Sequence, residues 1–217
     1  MSSIQHEVGL PDLAAGTLHP GRRMSEEEFV AWCDEDTRAE WVDGEVIVMS
    51  PATWIHVKLC QFLEGLLSGY VEERKLGEVA GREFSVRLNP KRRRLPDVLF
   101  IANERLDRLR EKHLEGAPNL AIEVVSEDSV DRDWRDKYAE YRDTGVEEYW
   151  VVDPLYKRVE AYSLGTDKQY HPMVPDEGKI ASVVVPGFYL RPEWLWQDPL
   201  PSVRLVLNEL LGAPTSD

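Results

Sequence analysis

The sequence predicts an α/β protein with a mixed central β-sheet that is flanked by helices and extended by β-hairpins. Short apolar, β-branched runs alternate with segments whose apolar residues repeat at a helical period. Of the 217 residues, 42% are hydrophobic, which is enough for a packed core. We expect an N-terminal arm over residues 1–22, one α/β domain over residues 23–197, and an amphipathic helix with a tail over residues 198–217.

Charge and cysteine content exclude several classes of protein. The formal net charge of −14 excludes a broadly basic nucleic-acid coat protein, but it allows a local basic groove or an enzyme that holds its substrate through metal ions. Cys33 and Cys60 are too few for a disulfide framework or a four-cysteine zinc site, and we interpret them as reduced core thiols. No signal peptide or bilayer-spanning apolar stretch is visible, so we expect a cytoplasmic protein without membrane contact.

Two elements near the N-terminus follow from local chemistry. Ser25 and Glu28 have the pattern of a capping box, in which each side chain accepts the backbone N–H of the other residue, so a short helix begins here. Asp43-Gly44 suits a two-residue hairpin turn, because glycine tolerates a positive φ angle. Its flanks are β-branched or aromatic, and residues 38–42 and 45–49 are therefore predicted to pair as strands.

The other elements follow from the period of their apolar residues. One helical face predicts a long helix that ends near Gly77, and it consists of Ile55, Leu59, Phe62, Leu63, Leu66, Leu67 and Tyr70. Further helices are predicted at residues 131–144 and 202–211. Strands are predicted at residues 79–88, 95–102, 120–125, 148–152, 157–163 and 180–185.

Two carboxylates interrupt this apolar pattern. Asp97 opens an apolar strand, and Glu123 lies alone within the run at residues 120–125. A lone carboxylate buried in a strand costs several kcal/mol unless it finds a cation or hydrogen bonds. If the two strands are neighbours, Asp97 and Glu123 could share a hard divalent cation such as Mg²⁺, one of whose waters can be the nucleophile. Structural ion pairs with Lys or Arg are the alternative.

Lys137 shares a helical face with aromatic residues. Trp134, Lys137, Tyr138 and Tyr141 fall at offsets of 0, 3, 4 and 7, which places the lysine on the side expected to face the core. An ammonium there could reach the carboxylates and stabilise a phosphorane-like transition state. The alternative is a lysine whose stem covers apolar surface while its charge reaches water.

Several motifs, in this order and spacing, resemble the Uma-two family of endonucleases over about residues 24–190. They are Glu40–Glu45, Met49-Ser50-Pro51, His56, Pro96-Asp97, Glu123-Val124-Val125-Ser126, Lys137-Tyr138 with Tyr141, and Gly145–Pro154. That family is similar to the PD-(D/E)XK nuclease superfamily. The resemblance implies a restriction-endonuclease-like core, an active site at the strands of Asp97 and Glu123, and DNA phosphodiester hydrolysis that depends on Mg²⁺ or Mn²⁺.

The resemblance also assigns roles to single residues. It implies that Asp97 and Glu123 are metal ligands and that Glu40 is a third carboxylate. Val125 departs from the superfamily pattern, which has a lysine at this position, and the resemblance suggests that Lys137 takes over that role. His56 matches a histidine of that family. A substrate-binding role and a structural, hydrogen-bonded role both stay open for it.

The dense basic run Lys91–Arg94 is expected in a hairpin turn just before Asp97. Such a run is either a solvated turn or a phosphate clamp, made by Arg92, Arg93 and Arg94, that delivers nucleic acid to the metal site.

The alternatives to a DNA nuclease are a catalytically weak binding or assembly module of the same fold, which would explain Val125 and the net acidity, and a hydrolase of another phosphate ester. A homodimer is also expected, because the C-terminal helix carries an apolar stripe that needs either its own core or a second subunit to pack against: Val203, Val206, Leu207, Leu210 and Leu211.

Overall fold

The computed structural model describes residues 23–34, 37–126 and 132–212, and it confirms an α/β protein whose mixed sheets are flanked by helices. The predicted arm at residues 1–22 lies outside the described residues. The α-helices of the described part are α1 (Glu26–Trp32), α2 (Trp54–Arg74), α3 (Lys137–Thr144) and α4 (Val203–Leu211). Shorter helical turns are the 3₁₀ turns Asn103–Arg108 and Pro192–Trp196 and the π-helical turn Arg132–Asp136, which leads directly into α3.

The strands form a six-stranded sheet, a five-stranded sheet and a small hairpin. In chain order they are β1 (Ala39–Val42), β2 (Glu45–Val48), β3 (Gly77–Gly81), β4 (Ser85–Asn89), β5 (Arg92–Arg94), β6 (Val98–Ala102), β7 (His113–Glu115), β8 (Leu120–Val124), β9 (Glu148–Asp153), β10 (Arg158–Leu164), β11 (Tyr170–Pro172), β12 (Ile180–Ala181) and β13 (Tyr189–Leu190). The six-stranded sheet has the order β11-β10-β9-β8-β6-β3, and only its β8–β9 pair is parallel among these described strands. The five-stranded sheet has the order β2-β1-β5-β4-β7.

The central strands of the six-stranded sheet, β6, β8 and β9, are buried on both faces. Side chains alternate along its central strands, so that Val98 and Phe100 pack with α2 and α4, whereas Leu99 and Ile101 pack with α3, β4 and β7 on the opposite face. This burial explains the nearly continuous apolar runs of β6, β8 and β9.

The predicted N-terminal helix and hairpin are both present. The Ser25 hydroxyl accepts the Glu28 N–H at 3.2 Å, and Glu28 Oε2 accepts the Ser25 N–H at 2.7 Å, which completes the capping box. Asp43 and Gly44 have φ angles of 50° and 89°, as a primed two-residue turn requires. Phe29 of α1 then packs over this hairpin in a small apolar cluster of its own.

Two predicted strands were wrong. Residues 79–88 form two strands rather than one, because the chain turns after Gly81 and β3 and β4 join different sheets. The strand at residues 180–185 stops at Ala181, because the next backbone N–H groups, those of Val183 and Val184, donate to the Glu148 carboxylate. The long helix, by contrast, ends just before Gly77 as predicted, with Arg74 as its last residue and Lys75 as a left-handed C-cap.

The apolar stripe of α4 packs against α2 of the same chain. Gly65 and Gly69 let the two helices approach closely, and Val206 and Leu210 are buried in the contact. Of the two surfaces considered for this stripe, the chain's own core therefore contacts it, and Val203, Leu207 and Leu211 stay partly exposed. A homodimer stays a prediction. In the described part of the chain, every helix is too short or too polar to cross a membrane.

We expect Gly65→Ala to stabilise the protein more than Gly69→Ala does. Alanine is favoured over glycine in a helix interior by about 1 kcal/mol. A Cβ at residue 65 makes ordinary contact with Val203, whereas a Cβ at residue 69 would lie 2.8 Å from Leu207 Cδ2, so that Leu207 must move. Urea denaturation measures the free energy of unfolding of both variants. Equal gains would contradict the close approach of α4 at residue 69.

Candidate active site

The predicted acids meet where the chain passes from the five-stranded sheet to the six-stranded sheet. This crossing follows β5 and carries Asp97 immediately before β6. In the six-stranded sheet, Val98 of β6 pairs with Ile122 of β8, so Asp97 and Glu123 occupy the next facing positions. In the five-stranded sheet, β1 pairs with β5 and brings Glu40 to the same crossing. The structure thus brings together three carboxylates that are distant in the sequence.

Lys137 lies between two of these carboxylates. Its Nζ is 2.8 Å from Glu123 Oε2 and 3.2 Å from Glu40 Oε1, and all three side chains are buried. One turn further along α3, the Tyr141 hydroxyl donates to Glu123 Oε1 at 2.7 Å. Burial raises the pKa of Tyr141 well above its ordinary value, so this hydroxyl stays a donor. Lys137 and Tyr141 therefore share one helical face, as their spacing predicted, and both contact Glu123 from it.

The rest of the predicted aromatic face points elsewhere. Tyr138 packs edge-to-face on Tyr162 and Tyr170, with ring centroids 4.9 and 5.2 Å away. Trp134 lies in the π-helical turn that precedes α3, and its ring stacks under Arg158 at 4.3 Å. Because a π-helical turn does not keep the α-helical period, offsets counted across residue 136 do not mark one face.

Glu40 is held from three sides. Its Oε2 accepts from Arg94 Nη1 at 2.7 Å, and its Oε1 accepts the Leu95 N–H at 3.1 Å in addition to contacting Lys137. Arg94 also donates to both carboxylate oxygens of Glu140, at 2.8 Å each. A buried carboxylate is tolerated when cations and hydrogen bonds replace its water in this way. Glu40 consequently fixes the position of the Lys137 ammonium and of the chain just before Asp97.

Asp97 keeps contact with solvent. Its Oδ2 accepts the Val124 N–H at 2.8 Å and lies 3.3 Å from His56 Nε2, and its side chain is 10% exposed. Burial raises the pKa of Asp97, but the hydrogen bond and charge of His56, the Lys137 charge and the Val124 N–H outweigh burial and lower the pKa below its ordinary value. The carboxylate is thus ionised at neutral pH. An ionised oxygen donor facing a second carboxylate, Glu123, fits a hard divalent cation.

His56 connects Asp97 to Cys60. It lies in the first turn of α2, and its Nδ1 is 3.5 Å from the Cys60 sulfur. Burial raises the pKa of the Cys60 thiol far above its ordinary value. Cys60 was predicted only as a core residue and this contact was not, although the spacing of four residues from His56 places both on one helical face. Substrate binding by His56 stays a prediction.

Lys91 lies in an exposed turn, but the three arginines of the basic run do not. Arg92, Arg93 and Arg94 form strand β5, and each pairs with carboxylates of the same chain. Arg92 contacts Asp43 and Glu140, Arg93 contacts Glu26, and Arg94 contacts Glu40 and Glu140. The Arg94 side chain is 2% exposed, so the prediction that Arg94 clamps a phosphate was wrong. Phosphate contacts by Arg92 and Arg93 stay a prediction.

Val125 occupies the position where a lysine was expected. It is buried in the cluster that lies on the α3 face of the central sheet, and its N–H donates to Val152 O at 2.8 Å. The side chain therefore belongs to the core, and Lys137 supplies the ammonium next to Glu123. Glu140 and Tyr141 were not predicted as parts of the site. The sequence feature that could have identified them is their position three and four residues after Lys137 on the same helix.

We expect Arg94→Met to lower the free energy of unfolding by about 3 kcal/mol, because it removes a buried cation shared by Glu40 and Glu140. Arg93→Met is the matched control on the same strand. Its loss should be smaller, since Glu26 also binds Arg87. Chemical denaturation of the two variants measures the difference, and equal losses would contradict a structural role specific to Arg94.

Comparisons with known proteins agree with this architecture. The Uma2 family model, described as "Putative restriction endonuclease", matches residues 26–193. A similar solved structure is that of "a putative nuclease belonging to DUF820" from Anabaena variabilis ATCC 29413, with a TM-score of 0.66 and 16% sequence identity over 80% of this chain and 97% of that chain. At this identity the likeness shows the fold. No curated protein matches the chain.

Proposed function

Since the chain belongs to the Uma2 family, we propose that it is a metal-dependent endonuclease that hydrolyses phosphodiester bonds in DNA with Mg²⁺ or Mn²⁺. The observation that carries this proposal is the meeting of Asp97 and Glu123 at the ends of two neighbouring strands, with the Lys137 ammonium 2.8 Å from Glu123. Phosphodiester hydrolysis at a metal ion uses carboxylates that bind the metal and a cationic side chain that stabilises the transition state. Asp97, Glu123 and Lys137 offer these groups in a buried position.

The proposed roles follow from the contacts. Asp97 and Glu123 would hold the cation, which supplies Lewis-acid stabilisation and a water of lowered pKa. Lys137 stabilises negative charge that develops on the phosphate, because its Nζ is fixed at the edge of the carboxylates. Glu40 positions Lys137, and the Tyr141 hydroxyl orients the Glu123 carboxylate.

A binding module of the same fold is the second candidate. Its support is that Lys137 and Arg94 already neutralise Glu40 and Glu123, and that the net charge of −14 opposes DNA. The two candidates differ in their response to Mg²⁺, because a nuclease of this kind gains stability and activity from the cation whereas the module gains neither.

We expect Mg²⁺ or Mn²⁺ to raise the melting temperature of the protein, and Asp97→Asn or Glu123→Gln to abolish this rise, because a ligand that binds only the folded state stabilises it. Glu148→Gln is the matched control. Glu148 is also a buried acid of the six-stranded sheet, but it binds the Ser182 hydroxyl and loop N–H groups instead of the site. A rise that survives in both site variants would refute the assigned ligands.

We expect Lys137→Met to slow DNA cleavage by about a hundredfold or more while the Mg²⁺-dependent rise in melting temperature persists. Methionine keeps the apolar stem and removes the charge that stabilises the transition state. Lys179→Met, which removes a lysine that lies over the Tyr189 ring, is the control and should cleave at the wild-type rate. Both variants are assayed well below their melting temperatures. Full activity of Lys137→Met would make this lysine structural.

A further inference from the structure

We propose that His56, Cys60 and Asp97 form a binding site for a thiophilic divalent cation such as Zn²⁺, and that this site competes with the Mg²⁺ site by sharing Asp97. The inhibitory part of this proposal rests on the proposed nuclease function, whereas the binding part does not.

The three donors lie close together. One ligand atom from each residue lies within 4.8 Å of those of the other two, and all three residues are buried. His56 and Cys60 lie one turn apart on α2, so the helix itself fixes their separation. Asp97 is held against them by the Val124 N–H, which donates to Oδ2 at 2.8 Å. Donors that rigid elements and hydrogen bonds hold in place lose little freedom when a cation binds.

The donor chemistry selects a softer cation than Mg²⁺. Sulfur and imidazole donors suit Zn²⁺, Co²⁺ and Cd²⁺, whereas Mg²⁺ takes oxygen donors and keeps its waters. A cation bound here displaces the thiol proton of Cys60 to solvent, as thiolate ligation requires. Three protein ligands leave a fourth tetrahedral position for water, and the side chains of His56 and Asp97 each retain slight exposure through which water can enter.

Sharing of Asp97 couples the two sites. A thiophilic cation that takes the Asp97 carboxylate removes one of the two oxygen ligands proposed for Mg²⁺. Glu123 alone, already engaged by Lys137 and Tyr141, then holds Mg²⁺ poorly. Trace Zn²⁺ should therefore inhibit cleavage, and the inhibition should depend on Cys60, which has no part in the proposed chemistry.

The binding test uses Co²⁺ as a spectroscopic probe of the reduced, full-length protein. A thiolate–Co²⁺ bond gives a charge-transfer band in the near ultraviolet, and the expected result is one such band that saturates at one equivalent. Cys60→Ser should abolish the band. Cys33→Ser is the matched control, because Cys33 lies at the end of α1, where its sulfur contacts Thr37 O, and its replacement should leave the band unchanged.

Two further variants separate this site from the Mg²⁺ site. Asp97→Asn should weaken Co²⁺ binding by about tenfold or more, since it removes a ligand. Glu123→Gln should keep the band with unchanged affinity. Cys60→Ala repeats the test of Cys60→Ser without an oxygen that could replace the sulfur. Absence of the band in the wild type, or its retention in Cys60→Ala, overturns the proposed site.

The competition test measures cleavage of DNA at fixed Mg²⁺ with increasing Zn²⁺. Wild type and Cys33→Ser should be inhibited at the same Zn²⁺ concentration, and Cys60→Ser should require about tenfold more. Equal inhibition of Cys60→Ser would overturn the competition. A protein that forms the Co²⁺ band but cleaves no DNA would refute the nuclease and leave the cation site standing, and an active protein without the band would do the reverse.

Discussion

The ammonium of Lys137, placed between the carboxylates of Glu40 and Glu123, is the interaction on which the site depends. Its three members come from the five-stranded sheet, the six-stranded sheet and α3, so this contact ties the main parts of the fold together. Because all three groups are buried, none of them can lose its partners without a large penalty. Arg94 adds a second cation and links Glu40 to α3 through Glu140.

The internal use of arginines limits how DNA can be held. In the described part of the chain, the three arginines of the basic run pair with acids of α1, α3, β1 and the hairpin turn. A chain with a net charge of −14 therefore offers phosphate little attraction from this region. Under the proposed function, the bound cation supplies much of the attraction for phosphate, which makes binding of substrate and binding of metal one coupled event.

The features of the fold and the site that depend on local sequence patterns could be predicted from the sequence. The central strands were visible as apolar runs, Asp97 and Glu123 as isolated carboxylates, and Lys137 by its helical spacing. The five-stranded sheet was only partly visible, because β5 is Arg92–Arg94 and resembles a solvated turn. Glu26, Glu40 and Glu140 pair with the arginines of this strand. These acids are distant from β5 in the sequence and close to it only in the fold.

The crossing from β5 to β6 has a consequence for folding. The carboxylates that meet there come from well-separated parts of the chain, so the site consists of contacts of high sequence separation. Such contacts form only after the entropy of closing long loops has been overcome, and they slow folding. No contiguous piece of the chain that omits β1 or α3 can assemble this site. The site is therefore complete only when these distant parts of the chain have folded together.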